Sequence, residues 1–181
     1  MYKDINLDNI LKTKKDNKEH ILSHNKKNNQ IKMCNTDKIP EEIKQILKFP
    51  CYKHTKLPAC LWSKKENLKQ NINLNNYNYA IVCGNINNVW VLDIDEKDDG
   101  NIKFLEYLKK FGELKTFTVK SPNNGTHYYF KFNHSNNILN SIISEKLTTT
   151  KKIGGFGIDI RSNGGYIIGA GSTLNNKQYE I

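Results

Sequence analysis

Arginine is nearly missing from this chain: Arg161 stands alone beside 27 lysines. A codon bias toward Lys, Asn and Ile, of the kind an AT-rich genome such as that of a large DNA virus writes, would have favoured Lys at 161 as well. A planar donor that grips two oxygens at once is therefore expected there. Long apolar runs are also missing. No stretch approaches the roughly 20 residues of a membrane span, and residues 1–16 lack the apolar segment of a secretory signal. These absences argue against a membrane partner and predict an intracellular protein. Cysteine is scarce: Cys34, Cys51, Cys60 and Cys83 are unevenly spaced, and reduced thiols are the expectation. Cys51, His54 and Cys60 are zinc-type ligands, but their spacing fits no finger pattern and a structural Zn²⁺ is not expected. No internal repeat or heptad is present.

What the chain does have is positive charge, +10 over 181 residues, and it is unevenly spread. Residues 1–70 hold 16 lysines against 8 acidic residues, whereas 71–181 hold 12 basic against 10 acidic residues. The basic front third suits contact with polyphosphate through counterion release, or is simply a soluble tail. Residues 1–36, rich in Lys and Asn with weak helical spacing at Ile5, Leu7, Ile10 and Leu11, read as a disordered or loosely helical extension. Residues 37–181 read as one folded domain. The chain stops at Ile181 just after a strand-like start, so a C-terminally truncated domain is expected.

Within that domain the elements announce themselves by pattern. Pro40, Glu41 and Glu42 suit a helix start, with Ile43, Ile46 and Leu47 as its apolar stripe and Pro50 as its stop. A loop follows through Lys56-Leu57-Pro58 and Trp62. Residues 79–83 read as a strand, 84–88 as a turn, and Val89-Trp90-Val91-Leu92 as the strand that leads into Asp93-Ile94-Asp95. Residues 101–111 have helical spacing and end at Gly112. Residues 115–121 and 126–132 form a hairpin across Pro122-Asn123-Asn124-Gly125, and 158–161 with 166–170 look like a second one across Ser162-Asn163-Gly164-Gly165. The class expected is α+β, a largely antiparallel sheet with flanking helices.

Alternation in a strand turns Asp93 and Asp95 to one face, with Leu92 and Ile94 to the other. A third acid, Asp159, shares a face with Arg161. Three hard oxygen ligands from two strands would cradle a divalent metal; the plainer reading makes Asp93 and Asp95 the start of a solvated turn through 96–100. His127, Tyr129 and Lys131 share a face in the first hairpin. His127 beside an Asp/Arg face suits an anionic ligand such as phosphate, and is otherwise a surface histidine.

Taken in order, Asp93-Ile94-Asp95, Ser121-Pro122-Asn123-Asn124-Gly125-Thr126-His127 and Gly157-Ile158-Asp159-Ile160-Arg161-Ser162-Asn163-Gly164-Gly165-Tyr166 resemble the bifunctional primase/polymerase (prim-pol) domain of the archaeo-eukaryotic primase superfamily. Lys56-Leu57-Pro58 with Trp62 is similar to that family's N-terminal signature. The resemblance implies an RRM-like catalytic core in which Asp93, Asp95 and Asp159 hold Mg²⁺ or Mn²⁺. It implies that His127 contacts the phosphates of an incoming NTP or dNTP, with Ser121 and Arg161 nearby and Ser172 at the edge of the site. It also implies a single-stranded DNA template and primer as partners, in a replication protein often fused to a helicase. Asn124 stands where the family often has Gly, and Asn tolerates left-handed backbone. Two other readings stay open. One is a polymerase-β-type nucleotidyltransferase, with Gly84-Asn85 as its turn. The other is a non-catalytic single-stranded nucleic-acid binder that stacks bases on Tyr128, Tyr129, Phe130 and Tyr166.

Overall fold

Residue 89 opens the strand around which the domain is arranged. The computed structural model describes residues 36–132 and 147–181. Strands β3 (Val89–Ile94), β4 (Thr118–Lys120), β5 (Thr126–Lys131) and β6 (Ile158–Arg161) form one sheet in the order β4-β5-β3-β6, with every adjacent pair antiparallel. β3 and β4 therefore run in the same direction two strands apart, linked by helix α2 (Gly100–Phe111). That is the split β-α-β arrangement of RRM-like folds. A second sheet, in the order β1-β2-β7, is built from β1 (Lys48–Tyr52), β2 (Tyr77–Val82) and β7 (Tyr166–Ile168). A small hairpin of β8 (Thr173–Leu174) and β9 (Lys177–Gln178) follows.

Strand alternation sorts the first sheet into two apolar faces. Leu92 and Ile94 join Ile158, Tyr128, Phe104 and Leu108 in a cluster beneath α2. Val89, Val91, Val119 and Tyr129 pack into the larger core with Phe49, Ala80, Ile81 and Ile167 of the second sheet. α2 ends as expected: Gly112 takes φ 89° and its N–H returns to the Leu108 carbonyl. The acids thus lie at the end of a face that is otherwise core.

Two expectations are corrected. The first helix, α1 (Glu41–Gln45), stops before Ile46, and Pro50 lies inside β1. β1 is an edge strand, where a missing N–H does no harm. The helix is ended by Lys48, whose ammonium takes the carbonyls of Lys44, Ile46 and Gln70. Residues 158–161 and 166–168 do not form a hairpin either: β6 pairs with β3, and β7 pairs with β2. The turn chemistry of 162–165 is real, since Gly164 has φ 78° and the Gly165 N–H bonds the Ser162 carbonyl, but the turn carries the chain from one sheet to the other. Long-range pairing with β3 and β2 wins over the local pairing that the sequence suggests. The crossing is tight. Gly84, at φ +104°, lies so close to Asn163 that an added Cβ would stand 2.2 Å from its side-chain oxygen. The basic extension, residues 1–36, lies almost wholly outside the described residues.

Candidate active site

Register assembles the site. Val119, His127, Asp93 and Asp159 occupy one row across β4, β5, β3 and β6, because Asp93 pairs with His127 on one side and Asp159 on the other. Arg161 lies in the next row, opposite Val91. All these side chains share the face that belongs to the main core, so the carboxylates are removed from water: Asp93 and Asp159 are each 7% exposed and His127 4%. The Arg161 guanidinium bridges the two acids, with Nη2 3.0 Å from Asp93 Oδ2 and 2.6 Å from Asp159 Oδ2, and Nε 3.2 Å from Asp93. The other oxygen of Asp159 accepts the Lys152 N–H at 2.7 Å, and that of Asp93 lies 3.5 Å from His127 Nε2.

Asp95 follows the last residue of β3, and its N–H continues the ladder to the Gly157 carbonyl at 2.7 Å. A Cβ on Gly157 would stand 2.0 Å from the Lys97 carbonyl, so only glycine lets the 96–99 loop fold over the strand end. The Asp95 carboxylate is half-buried, and among the described residues no hydrogen bond or ion pair holds it. The solvated-turn reading thus fits only the loop beyond it, where Asp98 and Asp99 both take left-handed backbone.

Burial pushes the Asp93 carboxyl above its ordinary range, and Arg161 only partly offsets this. Asp95 is raised as well, by burial and then by repulsion from Asp93. His127 is driven the other way, down to about 3, by burial and by the nearby charge of Lys56. It is a neutral, buried imidazole, and the surface-histidine alternative is set aside. Its ring packs 5.6 Å from that of Tyr179, and among the described residues Nδ1 has no hydrogen-bond partner. Beside it opens a cavity of about 280 Å³ lined by Lys56, Asp93, His127, Arg161, Tyr166 and Tyr179.

One family matches the chain. The description "Bifunctional DNA primase/polymerase, N-terminal" matches residues 35–181. The chain belongs to this prim-pol family. No curated protein matches it. Membership carries the general expectation of DNA primase and polymerase activity, and the family's nucleotidyl transfer typically uses divalent metals. It also displaces the polymerase-β alternative. No helix among the described residues is long and apolar enough to cross a membrane.

In this prim-pol domain the predicted residues divide into two groups. Asp93, Asp95, His127, Asp159 and Arg161 come together at one end of the four-stranded sheet. Ser121 lies close by: its hydroxyl accepts the Gly125 N–H at 3.0 Å, and Gly125 also approaches Asp95. Asn124 in that turn takes φ 60°, the left-handed geometry expected of it. Ser172 turns its fully buried hydroxyl to the second sheet, between the backbone N–H and carbonyl of Tyr79, while its carbonyl accepts the N–H of Tyr179, which lines the cavity. The four aromatics proposed for stacking are not equally placed, since Tyr128, Phe130 and Tyr166 are only partly buried. Tyr129 is buried, while Tyr128 packs on Phe104, Phe130 on Trp90, and Tyr166 on Phe49 and Trp62.

Cys51 is buried with its thiol pushed up to about 12, and His54 Nδ1 lies 3.0 Å from the Thr173 hydroxyl. Among the described residues no three His, Cys, Asp or Glu side chains stand as a finished cage for an ion. Between Asp93 and Asp159 the guanidinium of Arg161 intervenes instead.

Lys56, Lys151 and Tyr179 also line the cavity. Lys56 was within reach of sequence reasoning, since it sits in the Lys-Leu-Pro signature. Tyr179 was not: it arrives because Glu180 pairs with Lys120 on β4, a contact no local pattern announces.

Proposed function

We propose that this domain joins nucleotides on a single-stranded DNA template, extending a primer or starting a chain, with Mg²⁺ or Mn²⁺ held by Asp93, Asp95 and Asp159. The observation that carries this reading is the buried row of Asp93 and Asp159 beside a neutral imidazole, with Asp95 one step away. The donor set fits a hard divalent cation, because all three ligands are carboxylate oxygens and one guanidinium does not balance three negative charges. Once bound, such ions neutralise the α-phosphate and the departing pyrophosphate and acidify the attacking 3′-hydroxyl.

The protein's own groups position and compensate. His127, neutral, donates a hydrogen bond to a phosphate oxygen without carrying a charge of its own. Arg161 and Lys56 bring positive charge to the same cavity wall. Ser121 holds the turn that closes over Asp95, and its role toward the nucleotide is through that turn. The buried apolar floor formed by Val91 and Val119 lowers the local dielectric, so each of these charges counts for more than in water.

Purified protein supplied with primed template, dNTPs and Mn²⁺ or Mg²⁺ should extend the primer, and Asp93→Ala or Asp159→Ala should abolish extension. Undiminished extension by either variant refutes the assignment. An inactive wild type that still binds single strands would favour a binding module.

A further inference from the structure

Arg161 presents a chemical conflict that the proposed function leaves unresolved. Its guanidinium occupies the carboxylate oxygens Asp93 Oδ2 and Asp159 Oδ2, at 3.0 and 2.6 Å, which are the oxygens a divalent ion would claim. A cation cannot enter between these acids while a second cation bridges them. The bridge is also a good one: a single Nη2 serves both acids and Nε adds a further bond to Asp93. We infer that Arg161 is an exchangeable counter-cation, which holds Asp93 and Asp159 together in the metal-free protein and must release them for a divalent ion to bind. The inference rests on the metal reading given above.

Three observations support exchange over a permanent bridge. The Arg161 side chain is 20% exposed while its partners are about half that, so the arginine lies on the solvent side of the cluster and can leave without unpacking the core. It lines the cavity of about 280 Å³ together with Lys56, His127 and Tyr166, so a released guanidinium has space beside it and faces the region where a nucleotide's phosphates would lie. Without the bridge, Asp93 and Asp159 would be directly opposed like charges in adjacent strands. A temporary cation is needed there whenever metal is absent. Arginine suits the task because its rigid plane sets Nε and Nη2 together on Asp93 while Nη2 also reaches Asp159, an arrangement that lysine's single ammonium cannot reproduce. That accounts for the one arginine in a lysine-rich chain.

Exchange makes Arg161 a competitor of the metal, a prediction opposite to that for a simple supporting residue. Mn²⁺ binding to the full chain, measured by isothermal titration calorimetry without nucleotide, should tighten about tenfold in both Arg161→Gln and Arg161→Lys. The lysine variant is decisive, since it keeps the positive charge that the fold needs and loses the Nε bond and the rigid plane that fix the bridge. If Arg161→Lys binds Mn²⁺ no more tightly than wild type, competition for the oxygens is overturned, even if Arg161→Gln gains affinity through the loss of charge. Asp159→Asn separates this failure from that of the underlying reading. It should bind Mn²⁺ far more weakly than wild type; unchanged binding would mean that the metal assignment itself is wrong.

Discussion

Two buried charged sites lie in this domain, and they are treated in opposite ways. The Lys48 ammonium, in a residue only 6% exposed, has three N–H groups and three carbonyl acceptors, from Lys44, Ile46 and Gln70 at 2.5 to 3.0 Å. Burial lowers it to about 8, yet every donor it owns is matched. The acid cluster is left incomplete. Asp95 has no hydrogen bond or ion pair among the described residues, His127 Nδ1 and the Tyr179 hydroxyl have no hydrogen-bond partner, and one guanidinium serves two carboxylates. A charge that only fastens a helix to a strand is saturated by the fold. One that serves a ligand is left with capacity to spare.

Substitutions on each side should separate the two kinds of site. The largest effect is expected at the acids: Asp93→Ala or Asp159→Ala should lower single-turnover primer extension about a thousandfold or more. Next comes Lys48→Met, which leaves three carbonyls without their donor. It should cost about 2–3 kcal/mol in urea unfolding while Mn²⁺ affinity stays as in wild type. A change in metal affinity there would erase the distinction between the sites. A smaller effect is expected at His127: His127→Ala should raise the KM for nucleotide about tenfold through loss of a phosphate contact, with less effect on kcat.

The smallest effect expected on stability has the opposite sign. Asp95→Asn should abolish activity yet raise the Tm of the metal-free protein by a few degrees, because it removes a half-buried carboxylate repelled by Asp93 and Asp159. The folded-state pKa of Asp95 lies above the ordinary 3.8, so the native protein holds this proton to higher pH than the unfolded chain does. Its burden on stability is therefore absent well below pH 3.8, grows from there up to the folded value and is constant above it. The Tm advantage of the asparagine variant should be wider at about pH 7 than at about pH 3 in paired melts. A constant or reversed difference would place the Asp95 charge in a satisfied environment like that of Lys48.

Much of this was legible in the sequence because it depends on alternation and local chemistry. Period-two patterning put Asp93 with Asp95, His127 with Tyr129 and Asp159 with Arg161, and register then needed only to align the rows. α2 and its Gly112 cap were plain, as was the 118–131 hairpin. The rest was hidden because it depends on distant partners. β1 was obscured by Pro50, which reads as a helix stop until the strand is known to be an edge. The pairing of β6 with β3 could not be told from a local hairpin, since turn chemistry is the same whichever sheet receives the chain. The Ser172 hydroxyl faces the Tyr79 backbone, and nothing near it in the sequence says so. No local pattern in the sequence marks Lys48 as buried.

The single row through His127, Asp93 and Asp159 also decides where this domain can change length. One residue inserted between Val89 and Leu92 would rotate Asp93, and Asp95 just beyond β3, toward α2 and bring Leu92 and Ile94 to the cavity, destroying the chemistry while the strand remained paired. The same insertion among Asn85, Ile86 and Asn87, in the turn before it, would be absorbed outside the row. Relatives of this domain should therefore vary in size at that turn and keep an unchanged count from Val89 to Asp95.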